Sequence, residues 1–123
     1  MSIEAITRND LSAILNEVLP PQADALEWKL KGTVTGANTI ALPTEYSEIM
    51  LVATYSTYHF SAIIPKAEIS ASYIYPRFAS YYNTSNNAGG YFTLNNASAS
   101  IGNFSENNGT NRLPSATFKL YYR

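Results

Sequence analysis

The chain is expected to be mainly β: an antiparallel, jelly-roll-like β-sandwich preceded by one short N-terminal helix. Three observations lead there. Apolar residues follow a helical period before Pro20-Pro21 and alternate from Trp28 onward. Short runs rich in Thr, Tyr, Ile and Val are separated by Gly, Asn and Pro. The length, 123 residues, suits a single core. The division falls between residues 1–21, a helix and Pro-Pro linker, and 22–123, the sandwich.

The helix is read from Leu11, Ile14, Leu15 and Val18, which recur at i, i+3, i+4 and i+7, with Thr7, Asn9 or Asp10 available as N-cap. Pro20 and Pro21 end it by restricting the preceding backbone and removing donors. A helix this short is marginal alone, so the stripe must pack on its own domain or on sister helices. Leu11, Ile14 and Val18 fit an a, d, a seam, and with Leu15 they are the candidate oligomerisation residues and the segment a candidate trimerisation element.

Strands are expected near Trp28–Thr35, Asn38–Leu42, Ile49–Ser56, His59–Pro65, Ile69–Tyr75, Tyr91–Leu94, Ala97–Phe104 and Ala116–Tyr122. Thr35-Gly36-Ala37-Asn38 should turn the first two into a hairpin, and Gly89-Gly90 and Asn107-Asn108-Gly109 should mark later turns. Ala116, Phe118, Leu120 and Tyr122 share one face of the last strand. Trp28 is expected in the core, and Lys29 and Lys31 on a solvated edge that discourages sheet-to-sheet pairing.

Composition narrows the function. Eight Lys plus Arg against nine Asp plus Glu leave no basic field for nucleic acid or an anionic membrane. No run approaches the roughly 18 apolar residues of a membrane span, and Glu4, Arg8 and Asp10 do not suit a secretory leader, so no membrane insertion is expected. Cysteine is absent, which removes disulfides and thiolate chemistry. His59 is the sole histidine, so neither a histidine metal site nor a Ser-His-Asp arrangement is expected, and no cofactor is implied. Glu45, Glu48, Glu68 and Glu106 are the carboxylates from which a glycosidase pair would have to be drawn, but acidic residues occur in every surface and their spacing alone says nothing of such a pair. No enzyme is expected.

The informative stretch lies between Arg77 and Arg112, where 34 residues carry one charge, Glu106, and nine of the twelve asparagines. Neutral sugars present hydroxyls and apolar C–H faces, so a binder needs amides that donate and accept together with aromatic rings. Arg77, Tyr81, Tyr82, Asn83, Asn86, Asn87 and Tyr91 are therefore the candidate ligand-binding residues. Tyr73 and Tyr75 share strand parity with Arg77 and extend that face, and the guanidinium suits a carboxylated or hydroxylated ligand. The competing structural reading makes these asparagines turn formers and the tyrosines strand residues.

The run Trp28-Lys-Leu-Lys-Gly-Thr-Val-Thr-Gly-Ala-Asn-Thr-Ile-Ala-Leu-Pro, then Tyr46-Ser-Glu-Ile-Met-Leu-Val-Ala-Thr-Tyr, a Ser/Asn/Tyr-rich middle and the closing Ala116-Thr-Phe-Lys-Leu-Tyr-Tyr-Arg resemble the C-terminal receptor-binding β-sandwich of bacteriophage tail-fibre proteins. The resemblance implies a homotrimer on the virion surface, assembled in the host cytoplasm with other virion proteins, that binds host-surface glycan without catalysis. The alternatives are a virion structural protein, such as a head fibre or decoration protein, and a stand-alone lectin.

Overall fold

The computed structural model describes residues 27–123, so the expected helix and its stripe, Leu11, Ile14, Leu15 and Val18, lie outside the described residues. Nine strands follow: β1 (Lys29–Thr35), β2 (Ile40–Ala41), β3 (Glu48–Tyr55), β4 (Tyr58–Pro65), β5 (Arg77–Asn83), β6 (Asn86–Leu94), β7 (Ser98–Glu106), β8 (Thr110–Asn111) and β9 (Thr117–Tyr122). They form two antiparallel sheets, one ordered β1-β9-β3-β4 and the other β2-β7-β6-β5, with β8 added to β7. The protein is a β-sandwich, as the alternation predicts.

The core lies between the inner faces. Ile49, Leu51 and Ala53 of β3 and Ala116, Phe118 and Leu120 at β9 meet Phe92 and Leu94 of β6 and Ala99, Ile101 and Phe104 of β7, all essentially inaccessible to water. Three phenylalanines, Phe92, Phe104 and Phe118, are the largest fully buried side chains. Phe78 and Phe60 extend the cluster to the β4/β5 flank, their rings stacked at 4.6 Å. Aromatic burial on this scale supplies much of a small sandwich's stability, since each ring removes a large apolar area from water.

A bulge in β7 reconciles this core with the pleat. Tyr91 pairs with Asn103 but Phe92 pairs with Ile101, which leaves Gly102 as the extra residue. The insertion breaks the period of two, so Ile101 and Phe104, three apart, both turn inward.

The structure corrects several expectations. Gly36 does turn the chain, at φ +73°, but β1 pairs with β9 and β2 with β7, so the chain crosses between sheets where a hairpin was expected. β2 is only two residues long, whereas β1 makes six register pairs with β9, so the longer ladder wins. Residues 69–75 are no regular strand: Ile74 makes one isolated bridge with Leu94, and Pro76, which lacks an N–H, interrupts the ladder before β5. Gly89-Gly90 lies inside β6. Arg77–Asn83, which is not among the expected strands, is an edge strand. Trp28 is half-buried at the margin, where the Arg123 guanidinium covers its ring at 4.2 Å. The edge position of β1, with Lys29 and Lys31 exposed, agrees with expectation.

Candidate functional site

The β5–β6 hairpin carries all seven candidate ligand-binding residues, but the fold separates them into two groups. Arg77 and Tyr91 stand opposite one another at one end of the ladder. Asn83, Asn86 and Asn87 lie at the turn, about 20 Å away by the rise of an extended strand over six residues.

The turn asparagines build the turn. Asn83 Oδ1 accepts the Ser85 N–H, and Asn87 Nδ2 donates to the carbonyls of Asn83 and Thr84. Asn86 Oδ1 accepts the Tyr58 hydroxyl at 2.9 Å, which ties the hairpin to β4. Asn87 also joins the neighbouring turn, its N–H reaching Asn107 Oδ1 and its carbonyl receiving the Asn107 N–H. Asn107 and Asn108 sit at positive φ, a conformation asparagine tolerates better than most residues. For these three residues the geometry therefore favours the turn-forming role. Tyr81 and Tyr82 are 72% and 81% exposed near the tip, without a ring partner among the described residues.

The other end is organised differently. Residues 73–76 run extended beside β6, with Ile74 exchanging both backbone hydrogen bonds with Leu94 and Phe92 donating to the Pro76 carbonyl. Ile74 thus faces the core, and Tyr73 and Tyr75 point out with Arg77. The Tyr73 and Tyr75 rings stack at 6.5 Å and 20°, and Tyr75 meets the Tyr91 ring edge-on at 5.8 Å and 87°. The Arg77 guanidinium lies over the Tyr91 ring at 5.5 Å.

Beside this aromatic row is an open hollow of about 480 Å³ on the outer face of the five-stranded sheet. Gly89 and Gly90 form its floor, and Arg77, Tyr91, Asn103 and Ser105 rim it. The glycines are demanded by close approach: a Cβ at Gly90 would overlap the Asn103 carbonyl, whose carbon lies 2.7 Å away. At the bulge, a Cβ on Gly102 would overlap the Tyr91 ring, with Cδ2 at 2.7 Å. Tyr91 therefore lies down over Gly102 and is held in place beneath Arg77. The volume falls in the range of small-ligand sites, and the rim supplies a cation, an amide and a hydroxyl.

Asn103 and Ser105 reach the hollow because β7 pairs with β6 in this register, a relation the sequence does not display. Among the described residues no carboxylate lines the hollow. Glu106 bonds Arg112 Nε at 2.9 Å, and Glu48 pairs with Arg123. Among the described residues no group of three or more His, Cys, Asp or Glu side chains is placed to hold a metal. Comparisons with protein-family models, with curated proteins and with solved structures returned no match.

Proposed function

We propose that this domain is a non-catalytic glycan-binding module and that the chain acts as a phage adhesin, the tip of a tail fibre presented to the host surface. One observation carries the binding reading. Tyr73 and Tyr75, each a little over half exposed, form a stacked row that leads directly into a glycine-floored hollow rimmed by Arg77, Asn103 and Ser105. Rings covering apolar sugar faces, beside groups that donate and accept, are what a saccharide requires. The described lining offers amide, hydroxyl, guanidinium and ring groups, which suit binding, and none of the paired carboxylates that hydrolysis uses.

The site is shallow, so single-site affinity is expected to be weak. Three copies joined through the Leu11, Ile14, Leu15 and Val18 seam would compensate by avidity. The virion assignment and the trimer rest on the sequence resemblance and the helical stripe.

An array of bacterial surface polysaccharides tests the reading. The protein is expected to bind at least one member, and Tyr73→Ala with Tyr75→Ala is expected to abolish that binding. Full binding by the double variant would overturn the site assignment. Binding to no member would favour the structural alternative, a head fibre or decoration protein, for which the exposed Tyr81 and Tyr82 beside the open β5 edge offer a contact surface.

A further inference from the structure

We infer that the ligand of this hollow carries a carboxylate, as an acidic surface polysaccharide does, and that Arg77 is the residue that reads it. The inference deepens the glycan-binding reading and rests on it. Its ground is the state of the guanidinium. The salt bridges among the described residues join Arg112 to Glu106 and Arg123 to Glu48. Arg77 belongs to neither, and its guanidinium lies over the Tyr91 ring.

A surface arginine usually swings through many rotamers, and that freedom is lost on binding. Here the freedom is already reduced. Gly102 lets the Tyr91 ring lie down over the bulge, and that ring supports the guanidinium from below at 5.5 Å. The fork of five donors is left at the hollow's rim with no anion among the described residues to satisfy it. A planar carboxylate matches that fork in a bidentate pair, and a lone hydroxyl does not. Asn103 and Ser105, which also line the hollow, supply an amide and a hydroxyl oxygen that a sugar ring attached to the carboxylate would engage, the Ser105 hydroxyl itself donating to the Gly89 carbonyl at 3.4 Å. Tyr91 is thus a positioning residue for Arg77, and Tyr73 and Tyr75 form the platform for the next sugar along the chain.

The test uses the full chain and an array in which each acidic bacterial polysaccharide is paired with its carboxyl-reduced form, the same backbone with each uronate converted to a neutral sugar. The expected result is binding to an acidic member about tenfold tighter than to its reduced partner, as one charge-assisted pair implies. That preference should disappear in Arg77→Gln and fade as salt is raised to about 0.5 M, because the pair is exposed. Arg77→Lys should recover only part of it, since an ammonium cannot form the bidentate pair. Equal binding of acidic and reduced forms would overturn the carboxylate inference and leave glycan binding intact. A preference that survives in Arg77→Gln would place the carboxylate elsewhere. No binding to either form would overturn both readings together.

Discussion

Gly102→Ala isolates the link between the β7 bulge and the outer face. The backbone at Gly102 is not in the left-handed region, so alanine is admitted and only space is at issue. The new methyl would overlap the Tyr91 ring and stand 2.8 Å from Thr93 Cγ2, whereas comfortable carbon–carbon contact begins near 3.5 Å, so the ring must lift by about 1 Å or more. Tyr91 is on the solvent side, where it can rise by displacing only the exposed Arg77 and Tyr75 side chains, so the stability cost should fall at the low end of the overpacking range, about 1 kcal/mol. For a domain of this size that is a melting-point loss of about 4–8 °C. Lifting the ring removes the support under Arg77, itself worth about 0.5–1 kcal/mol at an exposed site, and disturbs the hollow's wall. Thermal unfolding and polysaccharide binding measured on one preparation decide the matter. A modest loss of stability with several-fold weaker binding is expected. Unchanged binding would refute the claim that Tyr91 organises the site. Gly90→Ala is the contrast: its methyl meets the Asn103 carbonyl, which cannot yield without parting β6 from β7, so it should cost well over about 2 kcal/mol.

Phe104→Ala removes a fully buried ring that contacts Tyr55, Phe60 and Phe78, and should lower stability by about 3–5 kcal/mol in urea denaturation. Asn87→Ala deletes the bonds to the Asn83 and Thr84 carbonyls and should cost about 1 kcal/mol while leaving glycan affinity unchanged, which binding at the turn would contradict. Burial raises the Tyr46 phenol above its ordinary value of 10.0, so the folded state holds that proton more tightly than the unfolded one. The associated stability is intact below that value and lost as pH climbs past it, and Tyr46→Phe should show a shallower alkaline decline, provided Lys66, 5.1 Å from the ring centre, is retained. Leu11→Asp or Val18→Asp should convert a trimer to monomer by light scattering; an unaltered oligomer mass would show that the stripe does not join chains.

The sandwich was legible because alternation survives in β3, β4 and β9, where Ile49, Leu51 and Ala53 or Ala116, Phe118 and Leu120 leave one reading. Pairing was not. Local turn chemistry at Gly36 suggested a hairpin, but the register that fills the core takes β1 to β9. Gly89-Gly90 looked like a turn because glycine signals both a turn and a close approach of backbones, and only the neighbouring strand distinguishes them. For the site, the parity of Tyr73, Tyr75 and Arg77 was visible in the sequence, as was the candidacy of Tyr91. Asn83, Asn86 and Asn87 were readable only as amides, and amides suit turns as well as ligands; the hydrogen bonds they make within the turn and to Tyr58 favour the structural role. Asn103 and Ser105 were hidden behind the bulge, which sets which β7 residues face out.

The most direct test of the central claim is a titration of the isotope-labelled protein with a binding fragment of bacterial surface polysaccharide, followed amide by amide by two-dimensional NMR. The largest shifts are expected at Tyr73, Tyr75, Arg77, Tyr91, Asn103 and Ser105, on the outer face of the five-stranded sheet. Shifts concentrated at the Asn83–Asn87 turn or on the four-stranded sheet would contradict it.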